Sequence, residues 1–229
     1  MPRNSERFIT AFNRIDKAMD AELNNSRGIG FSKAVRILTK YNAVVRRYKD
    51  ELLEFAELRN AIVHNRIDTG VVIAEPHDSI VEQIEQIERE ITSPQLVIPS
   101  FEKKVHQFDM NDSLSSLLDA IQEKGYSKFP VYEGGNFIGL ITESGITKWL
   151  AKNKDSSIRT SRIEELMSYQ KENNHQFISR DTSIYQAVEI FKEKIGDGNR
   201  IDALLITNNG QKDSELMGII TAWDIMGIK

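Results

Sequence analysis

The second half of this chain repeats itself, and that repeat constrains the fold more than any other feature. His106-Gln107-Phe108 returns 69 positions later as His175-Gln176-Phe177. Ser113-Leu114, followed by Leu117-Leu118 and Ile121, is echoed by Ser183-Ile184, Ala187-Val188 and Phe191. Each copy continues with a β-prone run, Lys128-Phe129-Pro130-Val131-Tyr132 or Ala203-Leu204-Leu205-Ile206. A turn of the hairpin-closing kind follows, Glu133-Gly134-Gly135-Asn136 or Asn208-Asn209-Gly210. Both copies then end alike, Gly139-Leu140-Ile141-Thr142 and Gly218-Ile219-Ile220-Thr221. This pattern predicts two β-α-β-β-α units.

The first 92 residues follow a helical grammar instead. Phe8, Ile9, Phe12, Ile15, Met19 and Leu23 recur at helical spacing, and Arg27-Gly28-Ile29-Gly30 interrupts them. A short helix is expected from about Phe31 to Lys40. A long one is expected from Val44 to about Asn65, because that stretch lacks Gly and Pro. Arg66-Ile67-Asp68-Thr69-Gly70 supplies a stop. A last helix begins with Asp78 or Ser79 as N-cap and buries Ile80, Ile84, Ile87 and Ile91. An antiparallel bundle is the simplest arrangement of these pieces. Pro94 and Pro99 bound a linker expected to be extended. The fold class is therefore α+β, an N-terminal α-helical bundle followed by two β-α-β-β-α repeats. The domains read as 1–92, a linker 93–99, a first motif 100–152 and a second motif 153–229.

Composition narrows the chemistry. With no cysteine among 229 residues, a disulfide framework, thiolate zinc ligands, iron–sulfur clusters and a cysteine nucleophile are excluded. The histidines form no metal-ligand spacing, so the metal expectation is none. Neither a Walker-type glycine loop nor a Rossmann fingerprint is present. The polar start, Met1-Pro2-Arg3-Asn4-Ser5-Glu6-Arg7, lacks a signal-peptide pattern, and no run approaches the ~18 apolar residues of a membrane span. A cytoplasmic location without membrane contact is expected. The net charge of −4 conceals an uneven spread. Residues 1–66 hold 13 basic against 8 acidic side chains, whereas residues 67–92 hold one against seven.

Each repeat resembles a CBS motif, and the tandem resembles a CBS pair (Bateman module) over residues 97–229. The resemblance implies that the two motifs pack sheet against sheet and leave two clefts, which in this family commonly hold adenosine derivatives. The family signature is Gly, two apolar residues, Thr or Ser, two more, then Asp. Gly218-Ile219-Ile220-Thr221-Ala222-Trp223-Asp224 matches it throughout. The resemblance thus assigns Ile219, Thr221 and Asp224 to a nucleotide site, with Asp224 accepting from ribose hydroxyls. A helix N-cap by Thr221 would account for the hydroxyl but leave the carboxylate unexplained.

Gly125-Tyr126-Ser127-Lys128-Phe129-Pro130-Val131 resembles the segment completing that cleft. Tyr126 is a candidate to stack on adenine or to join the inter-sheet core; Ser127 would hydrogen-bond the base and Lys128 would meet phosphate. Phe129 reads as core. Trp149 and Trp223 read as packing residues, and His106 and His175 as sharing a structural role. The other cleft departs from the pattern, with Gly145 where the carboxylate belongs. Asp202 aligns with Lys128 there and would repel phosphate. One competent and one degenerate cleft are expected.

Arg59-Asn60-Ala61-Ile62-Val63-His64 resembles the RNxxxH signature of HEPN domains, compact helical bundles that include metal-independent ribonucleases. The resemblance implies Arg59, Asn60 and His64 as a catalytic set, with His64 moving a proton and Arg59 neutralising a phosphorane. A homodimer is expected through the CBS pair, and catalysis would imply one through the helical domain too, since in this family two protomers usually meet at this helix. A helix–helix contact for Arg59 and Asn60 is the plain alternative. The reading that follows is a regulatory protein sensing an adenine nucleotide (AMP, ADP, ATP or a related adenosine derivative) without metal. Its helical domain mediates dimerisation or output. The alternatives are a nucleotide-regulated ribonuclease, with RNA as partner, and a scaffold that binds neither.

Overall fold

The computed structural model describes residues 2–24, 28–64, 74–154, 157–196 and 200–226, with His64 by its backbone alone. The chain forms two compact units, residues 1–95 with 183–186 and residues 96–182 with 187–229. No helix among the described residues is long and apolar enough to cross a membrane.

The first unit is helical: α1 (Asn4–Glu22), α2 (Phe31–Leu38), α3 (Ala43–Arg47), α4 (Lys49–His64) and α5 (Asp78–Thr92). The three- and four-residue spacing of Phe8, Phe12, Ile15 and Met19 puts all four in the core. Phe12 stacks on Phe31 at 4.2 Å, and Phe8 meets Phe55 edge-on at 5.6 Å. Gly28, at φ +92°, takes the left-handed backbone expected where the first helical pattern stops.

Three expectations for this unit are corrected. The long helix from Val44 is two helices. Asn42 opens α3 by accepting from the Val44 and Val45 amides at 2.9 and 3.0 Å, and Tyr48 breaks the run at φ −101°, ψ 23°. Tyr48 is half-buried beside Glu90 of α5; burial and then that carboxylate push its hydroxyl pKa well above the ordinary tyrosine value. Tertiary packing thus overrides a locally continuous helix propensity. The N-cap of α5 is His77, whose Nδ1 accepts from Ser79 N–H, because Asp78 is taken by Asn4 Nδ2 at 2.6 Å. Finally, α1 and α5 run in the same direction, with Asn4 beside Asp78, Arg7 bridging Glu85 at 2.8 Å and Arg14 bridging Glu88 at 3.8 Å. Three helices separate α1 from α5 in sequence, so no short hairpin forces them antiparallel.

The second unit opens with α6 (Val97–Ser100), a short element interrupted at Ile98, which keeps the extended backbone (φ −107°, ψ 128°) expected ahead of Pro99. Val97 and Ile98 are buried there. Two halves then follow the repeat. The first contains β1 (Phe108–Asp109), α7 (Leu114–Lys124), β2 (Lys128–Glu133), β3 (Asn136–Thr142), α8 (Glu143–Lys152) and α9 (Glu164–Met167). The second contains β4 (His175–Ser179), α10 (Ile184–Gly196), β5 (Ala203–Thr207), β6 (Leu216–Ile220) and α11 (Ala222–Ile225). The sheets are β1-β2-β3 and β4-β5-β6, in each of which the first pair is parallel and the second antiparallel.

Strand β5 shows why its sequence is apolar throughout. Leu204 and Ile206 pack with Ala187 and Phe191 of α10, while Ala203 and Leu205 face Phe137 and Leu140 of the other sheet. With both faces covered, the period-two alternation disappears. Both hairpins carry the same bulge. Val131 pairs with Gly139 and Tyr132 with Phe137, leaving Ile138 over; Ile206 pairs with Gly218 and Thr207 with Leu216, leaving Met217 over. The extra residue brings positions three apart onto one face, so Phe137 with Leu140 and Leu216 with Ile219 all enter the inter-sheet core. Trp149 is buried as expected, at 1% exposure, but Trp223 is 82% exposed and packs nothing away from solvent.

The signature glycines admit close neighbours. A Cβ on Gly218 would overlap the backbone oxygen of Phe101, whereas one on Gly139 would meet only the terminal methyl of Met167. Gly218→Ala is therefore expected to destabilise by about 1–3 kcal/mol, and Gly139→Ala by less, because a methionine end can swing aside. Urea unfolding of the two variants checks this; equal losses would contradict the geometry.

Candidate functional site

At the end of β6 the chain turns at Thr221 into α11. Thr221 N–H and its Oγ1 hydroxyl both donate to Asp224 Oδ2, each at 2.7 Å. This corrects the expectation that helix capping leaves the carboxylate unexplained, since Asp224 caps the Thr221 amide directly. Both bonds use Oδ2, so Oδ1 carries none of the capping, and Asp224 is exposed.

The facing wall comes from the other half. Gly125, at φ +65°, ends α7 and sends Tyr126, Ser127 and Lys128 toward the start of β2. Phe129 turns inward, fully buried, and meets Phe108 edge-on at 5.6 Å. Tyr126 is 46% exposed and is thus not an inter-sheet core residue. Lys128 Nζ donates to Ser127 O at 3.3 Å and to Ser127 Oγ at 3.4 Å, which holds the ammonium at the rim. Tyr126, Ser127 and Lys128 line one cleft of about 210 Å³ together with Ile219, Thr221 and Asp224. All six sequence-assigned residues of this site therefore meet.

Lys103, Lys104 and His106 line it too, and sequence reasoning missed them. They lie on the stretch after α6, where Glu102 bridges to Gly218 and Lys103 N–H donates to Met217 O at 3.1 Å. The β6 bulge thus supplies the carbonyl that fixes this segment. A readable signal was the Lys103-Lys104 pair just ahead of the first repeat copy. The cleft shares Lys103, Lys104, His106 and Tyr126 with a hollow of about 1290 Å³, whose rim adds Lys124 and Arg180 beside Glu102 and Glu215. Cations outnumber acids there, which suits an anionic group.

His106 Nδ1 lies 3.3 Å from Lys124 Nζ, and its ring meets Phe108 edge-on at 4.8 Å. Burial first, and then the Lys124 charge, lower its pKa from the ordinary histidine value. His175, its repeat partner, sits against Phe137 at 4.9 Å and Asn174 Oδ1 at 2.9 Å, and burial lowers its pKa as well. The shared role extends to packing, but only His106 faces the cleft.

The RNxxxH residues stand on α4. Arg59 is half-buried: its guanidinium lies 6.0 Å from the Phe12 ring, and Nη1 donates to Asn60 Oδ1 at 3.3 Å. Its charge also acts on Asp16, lowering a pKa that burial and Asp20 raise. These contacts fit a helix–helix packing role. The His64 side chain, and the expected stop at Arg66–Gly70, lie outside the described residues.

A family model described as CBS domain matches residues 100–152 and 163–228, more than half of the chain. No curated protein matches it. Among solved structures, the chain is similar to the CBS domain pair of protein MJ0100 in complex with 5′-methylthioadenosine and S-adenosyl-L-methionine. That match has 23% identity over 58% of this chain and 93% of that one, with a TM-score of 0.42. It is similar also to the conserved CBS domain protein TA0289 from Thermoplasma acidophilum, at 14% identity over 59% and 70%, TM-score 0.45. A hexameric CBS-CP12 protein from bloom-forming cyanobacteria matches at 17% identity over 60% and 74%, TM-score 0.44.

The two lowered histidines carry a pH dependence. Unfolded, each titrates near 6.5, so below that pH the unfolded chain holds more protons than the folded one. The histidine contribution to stability is present above about pH 6.5 and is lost as pH falls through the depressed folded values. The urea midpoint is expected to drop on acidification from pH 7 to 5.5, and by less in His175→Gln. An identical drop in that variant would refute the assignment.

Proposed function

Because the chain belongs to the CBS domain family, we propose that it is a regulatory protein that senses an adenine nucleotide in the cleft between Tyr126 and Asp224. The observation that carries this reading is that Tyr126, Ser127 and Lys128 of one motif line a single cleft with Ile219, Thr221 and Asp224 of the other. Ribose hydroxyls donate to Asp224, whose Oδ1 is not used in capping, and Thr221 supplies a neighbouring hydroxyl. The adenine ring stacks on the exposed Tyr126, where aromatic area gives affinity at little entropic cost. Phosphate meets Lys128, with Lys103, Lys104 and His106 lining the same cleft.

AMP, ADP, ATP and related adenosine derivatives all share the ribose and base that this arrangement addresses. The reaction class is binding, not turnover. The helical unit is the output, acting through a homodimer. Regulation requires that nucleotide bind one arrangement of the protein more tightly than another.

Calorimetric titration with AMP, ADP and ATP tests the reading. One nucleotide per chain is expected, with Asp224→Ala weakening binding by about tenfold or more, the usual loss for a charged hydrogen-bond acceptor. Circular dichroism of the variant separates that loss from damage to the α11 cap. Absence of binding with all three nucleotides, or undiminished binding in Asp224→Ala, removes this function.

A further inference from the structure

The first motif has the frame of the second without its carboxylate, for Gly145 stands at the position of Asp224. The hydrogen bonds of that carboxylate are nevertheless made. Thr142 N–H donates to Gln170 Oε1 at 3.0 Å, and the Thr142 hydroxyl lies 3.2 Å from the same oxygen. These are the two donors that Thr221 directs to Asp224 Oδ2 in the other motif. The acceptor thus arrives from 28 residues further along the chain instead of three.

The missing side chain at Gly145 is what makes room. A Cβ there would overlap the amide nitrogen, oxygen and carbon of Gln170. Gln170 Nε2 donates in turn to Leu166 O at 3.0 Å, so the amide is oriented from both ends. The segment that follows is tied to both walls of this cleft. Lys171 Nζ reaches Arg200 O at 3.4 Å, and Asn174 Nδ2 donates to Leu140 O at 3.0 Å. Asn174 O accepts from Asp202 N–H at 2.6 Å, and Asn174 is only 2% exposed. The backbone of Asp202, whose acid was expected to repel phosphate, is thereby tied to Asn174.

We propose that the chain itself occupies the first-motif cleft, with the Gln170 amide in the place of a ribose-binding carboxylate. The module then has one adenosine site and one internally filled site that serves stability. This inference rests on the proposed reading of Thr221 and Asp224 for what a carboxylate does at that position. The replacement is neutral where Asp224 is charged, and its bonds are correspondingly longer.

Two measurements on the full chain test it. The first is a melting cycle of Gly145→Ala, Gln170→Ala and the double variant. Each single change is expected to lower the midpoint by about 3 °C or more. Gly145→Ala is expected to cost almost nothing once Gln170 is gone, a coupling that separated residues do not show. The second is titration of wild type and Gly145→Asp/Gln170→Ala with adenosine, which lacks the phosphate that Asp202 opposes. One site is expected in the wild type and two in the double variant.

Additive melting effects overturn the occupancy whatever adenosine does, and so does a wild type that already binds two adenosines. A wild type binding one and a double variant still binding one overturns the role of Gln170 in excluding ribose. Coupled melting with no adenosine bound by either protein leaves the internal occupancy standing and removes the nucleotide reading instead.

Discussion

The second unit depends on the apposition of its two sheets. Phe137 and Leu140 from one half, and Ala203, Leu205, Leu216 and Ile219 from the other, form one apolar layer. Burying a side chain of that size is worth about 1.5–3 kcal/mol, so neither sheet would keep its inner face stably exposed. Phe177 joins from β4 by meeting Phe137 edge-on at 4.9 Å. Once that layer is set, the remaining faces must find helices, and each sheet acquires its own second core. The repeat therefore acts as one folded body made of two incomplete ones.

The same apposition assembles the cleft. Its walls belong to opposite halves: a helix-to-strand loop from the first motif and a strand-to-helix junction from the second. Phe129 and Ile219 anchor those walls from within, at 0% and 7% exposure. Lys128 and Thr221, one and two positions from them in sequence, line the cleft. The oxygen that caps α11 belongs to the Asp224 carboxylate, which also lines the cleft.

Much of this was legible in the residues. The 69-residue offset located both motifs, and the Gly-apolar-apolar-Thr-x-x-Asp run located Thr221 and Asp224, because chain-local features carry those positions. The failures share a cause. Tyr48 breaks a helix with good local propensity because its ring is drawn toward Glu90, and His77 takes a cap because Asp78 is engaged elsewhere. Gln170 escaped notice because it fills a position 25 residues away in sequence, and Lys103 and Lys104 because a backbone bond to Met217 brings them in. Contacts at long sequence range leave no periodic trace.

The bulges at Ile138 and Met217 have a consequence for how this sequence can change through time. Ile138 is 42% exposed, and its side chain contributes little to any core. Its presence as a spacer is what counts, because it sets the phase by which Phe137 points inward beside Leu140. Substitutions there are cheap, while removing the residue would turn Phe137 outward. Sequence drift at this position is free in letters and forbidden in length.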